Sequence, residues 1–95
     1  MDELKILQEI GFYYFKKNKW DVGKTNKEIN GLKIVDVRVE KDTITIELER
    51  VGLLIGKGGE NFNNLKAYLD KAFNRKLKID LVENIKLSQL FCYQY

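Results

Sequence analysis

VGLLIGKGGENFNNLKAYLDKAF, residues 51–73, opens with an apolar run of Val51, Leu53, Leu54 and Ile55 and breaks at Gly56-Lys57-Gly58-Gly59. It then resumes with Phe62, Leu65, Leu69, Ala72 and Phe73 at helical spacing. The pattern is helix, tight turn, helix. Three glycines in four positions let the backbone take positive φ and let another backbone come close, and Lys57 adds a cation to the turn. The turn feeds the N-terminus of the second helix, where unpaired N–H groups and the helix dipole favour an anion, and a phosphate suits that place.

On the N-terminal side, residues 32–40 alternate as a strand, with Val35, Val37 and Val39 on one face and Asp36, Arg38 and Glu40 on the other. After Lys41-Asp42, residues 43–49 alternate again with Ile44, Ile46 and Leu48 inward, so the two strands form an antiparallel hairpin with one apolar face. Residues 2–17 form an amphipathic helix with Leu4, Leu7, Ile10 and Tyr14 in one stripe and Ile6, Tyr13 and Lys17 beside it. Gly11 reads as a point of close packing on the sheet, and the aromatic run Phe12-Tyr13-Tyr14-Phe15 as core and rim packing. Residues 18–31, with Asp21, Gly23, Asn26, Asn30 and Gly31 among lysines, read as a long polar connection or a frayed helix end. Gly23-Lys24-Thr25 ends like a phosphate-binding P-loop, but Asn18 stands where its first glycine belongs.

On the C-terminal side, residues 60–74 continue the helix, and residues 77–82 form a third strand in which Leu77, Ile79 and Leu81 alternate with Lys78 and Asp80. Residues 84–95, NIKLSQLFCYQY, lie beyond this pattern and are too apolar for an idle tail. A short helix or strand that caps the domain, or a homodimer contact, is the expectation there.

Ninety-five residues make one domain, with a core large enough to fold without disulfides or metal. No apolar run is long enough to span a membrane and no basic leader precedes an apolar stretch, so a cytoplasmic location without membrane contact is expected. Cys92 is the one cysteine, and the absence of histidine removes the commonest general base and metal ligand. Neither a catalytic group nor a metal site nor a cofactor motif is found, and no enzymatic activity is expected. The formal net charge is +3, yet Arg50, Lys57, Lys66, Lys71, Arg75, Lys76 and Lys78 face only Glu60 and Asp70 over residues 50–78, a local +5. A cationic zone that coincides with the glycine turn is the electrostatic footprint of a phosphate-backbone binder.

The run Ile55-Gly56-Lys57-Gly58-Gly59-Glu60-Asn61-Phe62-Asn63-Asn64-Leu65 resembles the I-G-x-x-G-x-x-I-x-x-I signature of the KH domain, with Phe62 in place of an aliphatic residue. The order helix, strand, strand, helix, GXXG, helix, strand is similar to the type II arrangement of that family. The resemblance covers residues 2–83. It implies an α+β two-layer fold, α-β-β-α-α-β, whose three-stranded sheet carries its helices on one face.

The resemblance further implies binding of single-stranded RNA, or single-stranded DNA, about four nucleotides at a time. Backbone N–H groups of Gly56, Lys57, Gly58 and Gly59 would meet phosphates, with Lys57 adding its charge. Leu54, Ile55 and Ile79 would floor the groove, and Asn61, Asn64, Lys66 and Lys78 would meet base edges. One such module binds weakly, so the ribosome or a second RNA-binding protein is the expected helper. The rival expectation is a KH fold serving as a protein-interaction or assembly module. Retention of Lys57 and the lack of an acidic residue between the outer glycines favour the nucleic acid.

Overall fold

The computed structural model describes residues 1–84. Its elements are α1 (Glu3–Lys17), α2 (Val22–Leu32), β1 (Ile34–Glu40), β2 (Thr43–Leu48), α3 (Val51–Ile55), a 3-10 turn (Lys57–Gly59), α4 (Glu60–Phe73) and β3 (Lys78–Glu83). The expectation of a cap or a homodimer contact in residues 84–95 falls, beyond Asn84, outside the described residues, as does Cys92.

The sheet has the order β1-β2-β3. β1 and β2 are antiparallel, whereas β3 lies parallel to β2, because α3, the turn and α4 carry the chain back to the same end of the sheet. The register aligns Val37 with Ile46, Val39 with Ile44, Ile44 with Ile79, and Ile46 with Leu81. One sheet face therefore gathers the branched residues, which join Ile6, Ile10, Leu54, Leu65 and Leu69 in a single core. This is the α+β arrangement expected for the type II order.

Three local expectations change. The polar stretch after α1 is a helix, α2, capped by the Asp21 carboxylate, which accepts from the Lys24 amide at 2.9 Å. Its core face is sparse, with Thr25 and Leu32 buried and Ile29 partly so. Thr25 satisfies its hydroxyl by donating to the Asp21 carbonyl at 2.7 Å. Two glycines and many exposed polar residues hid a stripe that tertiary packing suffices to hold. The second change is in β1, where a register shift between Ile34 and Asp36 puts Val35 54% exposed and Ile34 opposite Leu48. Strict alternation had put Val35 inward, and the irregularity rotates it out.

The third concerns α1. Ile6, Ile10, Tyr13 and Tyr14 form its buried face, while Leu4 and Leu7 are exposed. The helix is rotated this way because Tyr13 and Tyr14 are fixed by hydrogen bonds to α4 and the Tyr13 ring packs 5.7 Å from that of Tyr68. Gly11 makes no close approach: a Cβ there would meet nothing within 4 Å.

Candidate nucleic-acid interface

Between the glycine turn and β3, an edge strand among the described residues, lies an open cleft of about 310 Å³, lined by Ile55, Gly59, Phe62, Asn63, Ile79, Asp80 and Leu81. Its floor is apolar. Ile55 ends α3, Phe62 occupies the first turn of α4, and Ile79 and Leu81 come from alternate positions of β3, so three elements converge there. Lys66, one turn beyond Phe62 on the same flank of α4, forms an ion pair with Asp70 at 2.8 Å. That pair is partly exposed, and the Lys66 ammonium with the Leu77 amide holds the Asp70 carboxyl below its ordinary pKa against a smaller opposing effect of burial.

The turn is closed by the chain itself. The Gly56 amide donates to Gly52 O at 3.0 Å, the Gly59 amide to Gly56 O at 3.2 Å, and the Glu60 amide to Lys57 O. Among the described residues, the amides of Lys57 and Gly58 are the two in the turn that take no such bond, and both residues are exposed. Gly56 has φ +76°, and a Cβ there would stand 2.8 Å from Asn61 Cβ, so both backbone angle and space demand glycine. Gly58 and Gly59 also have positive φ, with open space around them.

Asn61 is the residue against which Gly56 packs, and its side chain is committed within the protein. Its Nδ2 donates to Leu54 O at 2.7 Å and to the Tyr14 hydroxyl at 3.0 Å, and its Oδ1 accepts from the Tyr13 hydroxyl at 2.7 Å. This amide joins the end of α3, the start of α4 and the C-terminal half of α1. The glycine turn is thus held from beneath.

Burial pushes the Tyr14 phenol up to about 12, overriding the Asn61 donor, which favours its anion. Tyr13 is also raised, chiefly by burial and then by Glu28 and Glu60. A tyrosine whose folded pKa exceeds its unfolded value near 10 stabilises the fold below pH 10 and loses that contribution as pH rises toward 12. Urea midpoints should accordingly fall between about pH 10 and 12, and less steeply in Tyr14→Phe. A profile identical in the two proteins would deny Tyr14 this role.

The residues singled out from sequence divide into three groups. Ile55, Gly59 and Ile79 line the cleft, Gly56, Lys57 and Gly58 belong to the turn beside it, and Lys66 lies one helical turn beyond the lining residue Phe62. Leu54 and Asn61 lie beneath the cleft: Leu54 is wholly buried, so it supports the floor rather than forming it. Asn64 and Lys78 lie elsewhere. Asn64 lines a separate groove between α1 and α4, and Lys78 is exposed on a strand whose neighbours Leu77 and Ile79 occupy the core side. The hairpin tip, tied by the Asp42–Arg75 pair at 3.0 Å, does not line the cleft. Phe62, Asn63, Asp80 and Leu81 complete the lining. The helical phase of α4, about 100° per residue, separates Asn63 from Asn61 and Asn64 and would have found it. Among the described residues no cluster could hold a metal ion, and no helix is long and apolar enough to cross a membrane.

A Gly-Lys-Gly-Gly turn between two helices, beside an apolar cleft on a three-stranded mixed sheet, marks this as a small α+β module of the type II order, and the KH domain family model matches residues 21–89. The chain belongs to the KH domain family. Among curated proteins it is similar to the small ribosomal subunit protein uS3 of Flavobacterium johnsoniae, 35% identical over 60 residues. That alignment takes in 63% of this chain but only 23% of the ribosomal protein.

Proposed function

We propose that this chain binds single-stranded RNA in the cleft between α4 and β3, with the glycine turn gripping the sugar-phosphate backbone. The observation that carries this reading is the pair of Lys57 and Gly58 amides, which take no backbone bond among the described residues and lie on exposed residues beside an apolar floor. A phosphate accepts from both amides and from the Lys57 ammonium. Bases lie on Ile55, Phe62, Ile79 and Leu81, a surface that accepts any planar ring. Asn63, Lys66 and the backbone of the β3 edge at Asp80 face their polar edges. Asn61 acts as a positioning residue, and Asn64 and Lys78 take no part in the cleft. The role fits a KH module of about four nucleotides, and the likeness to a ribosomal protein supports a ribosome-associated RNA as the target. A cytoplasmic setting follows from that target. Single-stranded DNA shares the phosphate and base chemistry and competes to the extent that no group reads the 2′-hydroxyl.

The test is fluorescence anisotropy of a labelled mixed-sequence RNA at about 50 mM and about 200 mM salt. Two to three neutralised phosphates give a slope of about −0.7 each in log K against log salt, so affinity should fall roughly tenfold. Absence of binding at the lower salt would sink the proposal and leave the assembly-module reading in its place.

A further inference from the structure

The two flanks of α4 are both concave. One bears the cleft. The other faces α1 across a groove of about 490 Å³ whose rim carries Lys16, Lys17, Asn64 and Lys71 over the rings of Tyr13 and Tyr68. We propose that this α1–α4 groove is a second RNA contact surface, into which a strand held in the cleft continues after passing the glycine turn. The inference rests on the cleft reading above and extends its footprint.

Continuity comes from the geometry of α1 against α4. Tyr13 donates to Asn61 while Tyr68, two turns further along α4, donates to Glu9, one turn earlier on α1. The helices are therefore antiparallel, and Lys16 and Lys17 sit at the end of the groove next to the turn, with Lys71 at the far end. A strand leaving Lys57 has the first turn of α4, part of a cylinder about 10 Å across, to cross before it reaches the Lys16 end of the groove.

Chemistry selects the backbone rather than the bases as the bound part. Tyr13 is buried, and the half-buried Tyr68 ring is tilted against it at 5.7 Å with its hydroxyl engaged by Glu9, so the floor offers a fixed apolar surface that suits a ribose. Lys17 is already occupied, paired with Glu28 at 2.9 Å and lying 5.3 Å from the Tyr14 ring centroid. Lys16, Lys71 and the Asn64 amide are exposed and, among the described residues, form no ion pair or side-chain hydrogen bond. Glu9, Glu28 and Glu60 flank the groove, which limits it to a grip on one or two phosphates. Lysines on a helix are commonly just solvated. Here they border a concavity that shares its Tyr13–Asn61 support with the turn.

The test uses two RNAs of the same composition, one of about four nucleotides to fill the cleft and one about twice as long. Binding is measured against salt for the wild type, for Lys16→Gln/Lys71→Gln, and for Lys5→Gln/Lys27→Gln, which removes equal charge elsewhere. Slope is the deciding quantity, because extra binding registers on a longer strand raise affinity without changing it. The wild-type slope should be steeper for the long RNA by about 1, and Lys16→Gln/Lys71→Gln should bring it to the short-RNA value with a several-fold loss of affinity. Short-RNA binding should be unchanged in that variant, and the control pair should keep the steeper slope.

Equal slopes for both lengths in the wild type, or equal losses in the two variants, would overturn the second surface while leaving the cleft reading intact. A wild type that fails to bind the short RNA would overturn the cleft reading and the continuation with it.

Discussion

Replacing Lys57 and Gly58 together by aspartate should abolish RNA binding, at least a hundredfold by anisotropy, with no loss of folded structure. The change puts two carboxylates where a phosphate would sit and removes the turn's ammonium, and charged contacts of this kind are worth several-fold each even when partly solvated. The fold tolerates it because both positions are exposed and a Cβ on Gly58 meets nothing within 4 Å. Gly58 has φ +64° and ψ +15°, a region that aspartate enters at modest cost, on the order of 1 kcal/mol. Circular dichroism and a melting temperature within about 8 °C of the wild type would show the domain intact. RNA bound as tightly by this variant as by the wild type would remove the turn from the interface. An unfolded variant would mean that the turn is structural.

The largest stability effect is expected at Asn61. Asn61→Ala deletes the side chain that serves Leu54 O and the Tyr14 hydroxyl, and leaves the Tyr13 hydroxyl with only its longer bond, at 3.4 Å, to the Asn61 carbonyl. Stranding partly buried partners costs about 1–3 kcal/mol for each group that finds no water. A total of roughly 2–4 kcal/mol would lower the melting temperature by about 10–25 °C. Adding Tyr13→Phe and Tyr14→Phe should recover part of that loss, since the orphaned hydroxyls go with the substitution. A shift below about 4 °C for Asn61→Ala would show that the network does not hold the turn. Because Gly56 packs on Asn61, the single variant should also weaken RNA binding at temperatures where it remains folded.

The sequence made the turn legible because glycines at fixed spacing have few other uses, and the strands because Ile44-Ile46-Leu48 and Leu77-Ile79-Leu81 alternate without interruption. α2 was not legible. Its core contribution reduces to Thr25, Ile29 and Leu32, and two glycines mask the helical period. Val35 failed because alternation says nothing about a register shift. Within the site, residue type alone could not divide Asn61, Asn63 and Asn64. All three lie in the first turns of α4, yet one is a half-buried strut, one faces the cleft and one faces α1. Leu54 and Ile55 diverge in the same way across a single peptide bond. Which way a side chain points is fixed by how α1 and α4 dock, a long-range matter.

The bond from Tyr13 to Asn61 has a bearing on modularity. The family match begins at residue 21, after α1 has ended, so the segment that defines the family excludes a strut of its glycine turn. A graft of residues 21–84 into a foreign host would transplant the glycines and the lysine without the phenols that brace them. A portable cassette built on this glycine turn has to start at the first helix.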